Sequence, residues 1–155
     1  MKLLFVCIGN TCRSPMAESV MNHYIKERNL DWEADSAGLR AWNVGYAPEE
    51  RCIKILSENG LTTAHIGREI KIDDFYLFDY IFGMDESNMH ELNAIAIAAG
   101  AKCTTKIELL GSYLGRDEDK IIHDPYFSTG LQSFRCAYAQ ISESCQNFIK
   151  KHASQ

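Results

Sequence analysis

The sequence of 155 residues lacks several features that mark common classes of protein. No apolar stretch is long enough to cross a membrane, and no repeat, low-complexity tract or linker interrupts the chain. Basic residues are also too few for a nucleic-acid binder, since 16 lysines and arginines stand against 21 acidic residues for a net charge of −5. These absences favour one domain over residues 1–155, with no nucleic-acid or membrane partner and with a small ligand or a protein as its substrate.

The six cysteines form no Cys-x-x-Cys pair. Their irregular spacing fits neither a structural zinc site nor the disulfide framework of a small secreted protein. The apolar run at the start ends at Ile8 without a segment like a signal-peptide cleavage site. We therefore expect a cytoplasmic protein with reduced thiols and no metal site. Four of the cysteines are expected to be packing residues: Cys52, Cys103, Cys136 and Cys145.

Helical and strand-like patterns alternate along the chain. Apolar residues at helical spacing, with start and stop signals, predict helices over 17–25, 48–60, 86–99 and 131–148. Runs of apolar and β-branched residues predict strands over 2–6, 32–36, 80–83 and 103–107. This alternation predicts an α/β fold with a mostly parallel sheet and helices on both faces. Ligands of such folds bind beyond the carboxyl ends of the strands.

The stretch VCIGNTCRSP, residues 6–15, connects the first predicted strand to the first predicted helix. Ser14-Pro15 could cap and begin that helix, because proline suits the first helical position. Backbone N–H groups in so tight a loop point at an anion. A cysteine followed by Arg13 and a serine, with Gly9 and Asn10 between them and this strand-to-helix setting, is expected by chance in about one chain in a thousand.

The chemistry of the loop favours a nucleophilic Cys7 over a buried packing residue. A thiolate at a helix N-terminus beside the guanidinium of Arg13 is stabilised. Arg13 can hold two oxygens of a phosphoryl group in its planar fork while the loop amides hold the rest. Gly9 permits close approach of the backbone, and Asn10 tolerates a left-handed conformation. The loop therefore predicts a cradle for a tetrahedral dianion.

With these loop residues, the sequence resembles the low-molecular-weight protein tyrosine phosphatases. The resemblance extends over nearly the whole chain, through CIGNTCRSPMAE, DSAGL, WNVG, AHIGREI, FDYIFGMDESN and DPYF. It implies a four-stranded parallel sheet in a three-layer, flavodoxin-like arrangement. It also implies hydrolysis of a phosphoprotein or an aryl phosphate without metal or cofactor, through a cysteinyl-phosphate that releases inorganic phosphate.

The resemblance implies a catalytic role for several residues. Cys7 attacks phosphorus, Arg13 stabilises the transferring group, and Ser14 steadies the thiolate by a hydrogen bond. Asp124 protonates the leaving oxygen and later activates water, since a phenol departs more easily than a phenolate. On its own, Asp-Pro is more often a turn starter than a catalytic acid.

Further residues are expected around the reacting group. The resemblance implies that Ser36 and His65 hydrogen-bond the loop asparagine, whereas without the resemblance a surface histidine in a helix-to-loop turn is the favoured interpretation of His65. Trp42 could flank the substrate ring or cover the core, and Asp85 and Glu86 could simply cap a helix. The acidic run 117–119 is expected to be a solvated loop. The expected phosphate- and substrate-binding residues are Ile8, Gly9, Asn10, Thr11, Cys12, Ser14, Trp42, Tyr126 and Phe127.

Other functions stay open. Thr11 stands where a tyrosine phosphatase is expected to have a branched apolar residue, which leaves phosphoarginine hydrolysis as an alternative. The aromatic side chains of Trp42, Tyr126 and Phe127 favour an aromatic substrate instead. An arsenate reductase of the same fold would need a closely spaced downstream cysteine pair, and a non-catalytic phosphate-binding module would need neither nucleophile nor acid. The closeness of Cys12 in the loop also predicts a reversible disulfide with the nucleophile under peroxide.

Overall fold

A computed structural model of the protein describes residues 1–115 and 119–153, so positions 117 and 118 of the predicted acidic run lie outside the described residues. Helices and strands alternate over the described chain, as the sequence predicts. In chain order they are β1 (Lys2–Cys7), α1 (Arg13–Glu27), β2 (Glu33–Gly38), α2 (Glu50–Glu58), α3 (Asp74–Leu77), β3 (Tyr80–Gly83), α4 (Glu86–Ala99), β4 (Lys106–Leu109) and α5 (Gln132–His152). Two 3₁₀ turns, Gly100–Lys102 and Leu110–Leu114, flank β4.

The four strands form one parallel sheet in the order β2-β1-β3-β4. Parallel neighbours need a crossover connection, and a helix lies between each strand and the next along the chain. The chain leaves β1 toward one edge of the sheet and returns to build the other half. The carboxyl end of β1, at Cys7, therefore lies at the switch point where ligands of such sheets bind. The predicted four-stranded parallel sheet is confirmed.

Alternate residues of β1 enter two separate cores, because successive side chains of a strand point to opposite faces. Leu3 and Phe5 pack with α1, α2 and α5 on one face. Leu4 and Val6 pack with α3 and α4 on the other. The arrangement is the three-layer one that the sequence predicts, with helices on both faces of the sheet. Among the described residues, no helix has the length and apolar character of a membrane-spanning segment.

Two local predictions are wrong, and one short helix was missed. Ser14 does not cap the first helix: α1 begins at Arg13, with Cys12 as its N-cap and no side-chain capping bond. Ser14 does not act as a cap because it lies inside the helix, where its hydroxyl hydrogen-bonds the sulfur of Cys7. Cys136 is exposed rather than packed, because it lies on the outer side of α5. The short α3 was not predicted, since four residues are too few to show helical periodicity.

Candidate active site

A cavity of about 300 Å³ opens at the carboxyl end of β1. Its floor is the loop between β1 and α1, and its rim comes from segments distant in the sequence. The residues that line it are Cys7, Ile8, Gly9, Thr11, Cys12, Arg13, Trp42, Asn43, Asp124, Tyr126 and Phe127. The cavity therefore brings together the predicted nucleophile, arginine and acid with most of the predicted binding residues. Asn10 and Ser14 lie behind it.

Cys7 is the last residue of β1 and is almost fully buried. Its Sγ lies 3.0 Å from Ser14 Oγ. That oxygen already accepts a hydrogen bond from Asn10 Nδ2 at 2.9 Å, so the serine hydrogen is available for the sulfur. A hydroxyl that donates to sulfur favours the thiolate, as expected of Ser14. The sulfur also lines the same cavity as Cys12 and Arg13 at the N-terminus of α1, whose dipole favours negative charge.

Arg13 is 2% exposed and is held by two acceptors on one of its terminal nitrogens. Nη1 donates to Asp85 Oδ2 and to the carbonyl of Ile122, both at 2.8 Å. These contacts use both Nη1 hydrogens, so Nε and Nη2 are left for a phosphoryl group. The predicted capping role of Asp85 is also present, because its Oδ1 accepts from the Asn88 N–H at 2.8 Å. One carboxylate therefore caps α4 and orients the arginine.

Asn10 holds the loop in shape from behind. Its φ of 53° is in the left-handed region, which asparagine tolerates better than most residues. Its Oδ1 accepts from His65 Nε2 at 2.7 Å, and its Nδ2 donates to Ser36 Oγ at 3.1 Å. The predicted contacts of Ser36 and His65 with Asn10 are thus present. The backbone N–H of Arg68 supplies one more bond to Oδ1, at 3.0 Å, that the sequence did not indicate.

A further layer of charged groups lies behind His65. Its Nδ1 is 2.9 Å from Glu18 Oε1, which also accepts from Ser36 Oγ at 2.8 Å. Glu18, Asp35 and His65 form a group whose ligand atoms lie within 4.8 Å of one another, close enough for a metal ion. Each is already committed to a protein partner, since Asp35 binds the guanidinium of Arg68 at 3.0 Å. We assign the group to hydrogen bonding in support of the loop.

Asp124 approaches the same cavity from the segment before α5. Its Oδ2 lies 3.8 Å from Arg13 Nη2, and its Oδ1 accepts from the Tyr126 N–H at 3.1 Å. The side chain is 27% exposed, so it can meet both a substrate and water. The position fits a group that first donates a proton to a leaving oxygen and then takes one from water.

Three aromatic side chains form the mouth of the cavity. Phe127 is 86% exposed, and its ring meets that of Tyr126 edge to face at 5.2 Å. Trp42 also lines the cavity and is 66% exposed, so it does not cover the core. Exposed aromatic rings beside a polar floor are suited to stacking on a flat substrate group.

Asn43 is a cavity residue that sequence reasoning missed. Its Nδ2 donates to the carbonyl of Gly9 at 2.9 Å and ties the tryptophan segment to the phosphate loop. A Cβ placed on Gly9 would lie 3.1 Å from that nitrogen, which is tighter than most real contacts. A larger residue at position 9 would therefore require the Asn43 side chain to move by a few tenths of an ångström. The motif WNVG contained the signal, although nothing in it distinguishes the asparagine from an ordinary turn residue.

Cys12 lies beneath the loop and is buried. Burial, together with the neighbouring sulfurs of Cys52 and Cys7, raises the pKa of the Cys12 thiol far above its ordinary value. Cys12 therefore stays protonated at neutral pH, while its carbonyl accepts from Cys52 Sγ at 3.4 Å. The loop thus holds one sulfur with thiolate-stabilising contacts and a second, protonated one.

Comparison with known proteins agrees with this geometry. The family model for "Low molecular weight phosphotyrosine protein phosphatase" matches residues 2–155. A low molecular weight phosphotyrosine protein phosphatase 1 of Drosophila melanogaster is 42% identical, over 97% of this chain and 96% of its own. The corresponding protein of Sus scrofa is 42% identical, over 96% and 94%. The crystal structure of a Drosophila arginine phosphatase superimposes with a TM-score of 0.97 at 55% identity, covering 100% of this chain and 99% of the other.

The strand-to-helix cysteine loop, the arginine that it buries and the four-stranded parallel sheet occur here in a chain that matches these relatives from end to end. Identity near 40% over nearly full length is well above what a shared fold alone would explain. The chain belongs to the low molecular weight phosphotyrosine protein phosphatases, a family of cysteine-dependent hydrolases.

Proposed function

We propose that the protein hydrolyses phosphorylated side chains of proteins, most readily phosphotyrosine, through a covalent phosphocysteine. The observation that carries the proposal is that Cys7, Arg13 and Asp124 face one cavity whose mouth is aromatic. In the first step Cys7 Sγ attacks phosphorus while the bond to the tyrosine oxygen breaks. Nε and Nη2 of Arg13 and the loop amides hold the three equatorial oxygens. Asp124 gives its proton to the departing oxygen.

In the second step Asp124, now a carboxylate, takes a proton from water as the water oxygen attacks phosphorus. The S–P bond breaks, the sulfur leaves as a thiolate and inorganic phosphate is released. The Ser14 hydroxyl, 3.0 Å from Sγ, stabilises the leaving thiolate as it stabilised the attacking one. We also propose a reducing compartment such as the cytoplasm, since all six cysteines are free thiols and the mechanism needs Cys7 reduced.

Hydrolysis of p-nitrophenyl phosphate in the presence of a metal chelator tests the proposal. The parent protein is expected to turn over, and Cys7→Ser is expected to lose turnover while it still binds phosphate. Substantial turnover by purified Cys7→Ser would overturn the covalent mechanism. Absence of turnover by the parent protein, with phosphate binding intact, would favour a non-catalytic phosphate-binding module.

Asp124→Ala tests the acid. The variant should lose far more kcat/KM on aryl phosphates with poor leaving groups than on those with good ones, because only poor leaving groups need protonation in the transition state. An equal loss across the series would contradict the role of Asp124.

Phosphoarginine is the second candidate substrate. Thr11 lines the cavity and places a hydroxyl on its wall, and the neighbour at 55% identity is described as an arginine phosphatase. A hydroxyl can hydrogen-bond a guanidinium N–H, whereas a branched apolar residue there cannot. Asp124 would then protonate the guanidine nitrogen instead of a phenolic oxygen.

Thr11→Val separates the two substrates, because valine has nearly the shape of threonine but carries a methyl group in place of the hydroxyl and so cannot hydrogen-bond. For a phosphoarginine enzyme, kcat/KM on a phosphoarginine peptide should fall about tenfold or more, the value of one hydrogen bond to a charged group. Activity on the matched phosphotyrosine peptide should change little. Loss of both activities to the same degree would indicate that Thr11 shapes the loop and does not select the substrate.

A further inference from the structure

Arg51, near the start of α2, contacts the segment that carries Asp124. Its Nη2 donates to the carbonyl of Tyr126 at 2.9 Å, and its Nη1 donates to the carbonyl of Ser128. The proposed mechanism gives this arginine no role, and it does not line the cavity. Its guanidinium instead holds the backbone of the segment 124–128, which we call the acid loop.

The contact of Arg51 with the acid loop also restricts the carboxylate of Asp124. The N–H of Tyr126 donates to Asp124 Oδ1, while the carbonyl of the same residue accepts from Arg51. The N–H of Ser128 closes a turn onto the carbonyl of Pro125 at 3.1 Å. Displacing the guanidinium would therefore free the residue whose N–H orients the carboxylate.

The guanidinium is itself held firmly. Its Nε lies 3.0 Å from a carboxylate oxygen of Glu49, and its Cζ lies over the Phe134 ring, 4.5 Å from the ring centre. Three-quarters of the Arg51 side chain is buried by these contacts, since 25% is exposed. A partly buried, paired and stacked guanidinium has little freedom to move, so its hydrogen bonds restrict the position of the acid loop.

The same turn of α2 also contacts the phosphate loop. The N–H of Glu49 donates to the carbonyl of Thr11 at 2.9 Å, and Cys52 Sγ donates to the carbonyl of Cys12 at 3.4 Å. Residues 49–52 thus contact the loop that holds the nucleophile and, through Arg51, the loop that holds the acid. The distance between the two reacting groups depends on this connection.

We propose that Arg51 is a positioning residue for the general acid, fixing Asp124 against the phosphate loop through the carbonyls of Tyr126 and Ser128. The inference rests on the proposed role of Asp124. An error of about 1 Å in the placement of a catalytic group can cost about a hundredfold in rate, so the loop contacts are worth a comparable factor. The effect falls on the step that Asp124 serves and spares phosphate binding by Arg13.

Arg51→Met tests the inference, because methionine keeps part of the stem packing on Phe134 and removes every donor. The readout is kcat/KM over a series of aryl phosphates with progressively poorer leaving groups. We expect a loss of about 10- to 100-fold at the poor end and much less at the good end. The inhibition constant for inorganic phosphate should stay close to that of the parent. A purely structural role would lower activity equally along the series.

Arg135→Met is the matched control. Arg135 also joins α5 to α2, through two contacts with Glu58 at 2.6 and 3.1 Å, and makes no contact with the acid loop. The variant is expected to keep the leaving-group profile of the parent. Arg51→Lys, which keeps the charge beside Glu49 but lacks the planar fork, should fall between the parent and Arg51→Met. It also carries the test if Arg51→Met does not fold, and a parent profile from it would then overturn the inference.

Combining Arg51→Met with Asp124→Ala identifies the route of the effect. If Arg51 acts through Asp124, the double variant should be no slower than Asp124→Ala alone. Independent, multiplying losses would overturn the inference. A steep profile for Asp124→Ala together with a flat one for Arg51→Met would overturn the role of Arg51 alone. A flat profile for Asp124→Ala would overturn the acid itself, and the role of Arg51 with it.

Discussion

Removing the carboxylate of Asp85 should unbalance the charge of Arg13 and destabilise α4 at the same time. Asp85→Asn keeps an oxygen for the Asn88 N–H and removes only the negative charge that faces the guanidinium. Asp85→Ala removes both. The pair of variants therefore separates the two functions that the structure gives to one side chain.

The expected losses of stability in the two variants follow from the burial of the ion pair. Arg13 is 2% exposed and the Asp85 side chain 26%, so the pair is only partly shielded from water. A hydrogen bond to a charged group contributes about 1.5–3 kcal/mol, and we expect about 2 kcal/mol for Asp85→Asn. Loss of the cap adds about 1 kcal/mol, which gives about 3 kcal/mol for Asp85→Ala. At about 2–4 °C per kcal/mol, Tm should fall by about 4–8 °C and 6–12 °C respectively.

Thermal unfolding with and without phosphate is the assay. Phosphate should raise Tm more in Asp85→Asn than in the parent, because the phosphate dianion replaces the negative charge that faced Arg13 in the parent. Activity should fall, since Nη1 keeps only its bond to the Ile122 carbonyl and the guanidinium that presents Nε and Nη2 to the phosphoryl group is less firmly oriented. An Asp85→Asn protein with the stability and phosphate response of the parent would refute the reasoning.

Three further outcomes are expected. After mild peroxide, mass spectrometry should find a Cys7–Cys12 disulfide, and Cys12→Ser should recover a smaller fraction of its own starting activity with thiol than the parent does; equal recovery would exclude Cys12 as the partner. Gly38→Ala should cost about 1–3 kcal/mol and weaken phosphate binding, because its Cβ would lie 3.0 Å from that of Asn10; an unchanged phosphate inhibition constant would contradict this. Burial lowers the pKa of His152 below its ordinary 6.5, because the folded protein disfavours the protonated ring. The stability present above that pH should therefore fall as the solution is acidified. His152→Gln should reduce this fall when unfolding is followed in urea at several pH values.

The nucleophile and its arginine could be predicted from the sequence because the chemistry of the phosphate loop is local. Cys7 and Arg13 are separated by one short loop, and the strand before it and the helix after it fix its direction. The sheet was equally predictable, since the alternation of apolar patterns leaves few parallel arrangements. The boundaries of the strands were less predictable. β4 begins at Lys106 and not at 103, because its pairing with β3 starts at Tyr80 and Lys106, while the N–H of Cys103 closes the preceding turn onto Gly100.

The contacts of Ser36 and His65 with Asn10 were expected only from the resemblance to the family, and other supporting contacts could not be predicted, for physical reasons that differ from residue to residue. The cap at Asp85 is a local pattern, but the arginine that meets its second oxygen depends on the pairing of β1 with β3. Arg51 binds backbone carbonyls, and a carbonyl has the same chemistry at every position in a sequence. Ser14 was given two roles, because its hydroxyl could serve a helix end or a sulfur, and only the folded loop shows that it serves the sulfur and not the helix end.

The parallel sheet also determines when activity can arise. Each strand pair is closed by a crossover, so residues 1–115 and 119–153 contain no β-hairpin that could form early from neighbouring residues. Contacts between distant segments are slow to form and do so late and together. The nucleophile comes from the first strand and the acid from the segment before the last helix, so an incompletely folded chain holds the cysteine without its proton donor. Turnover of poor leaving groups therefore reports on completed folding, and its recovery after dilution from denaturant should lag behind the recovery of helical structure.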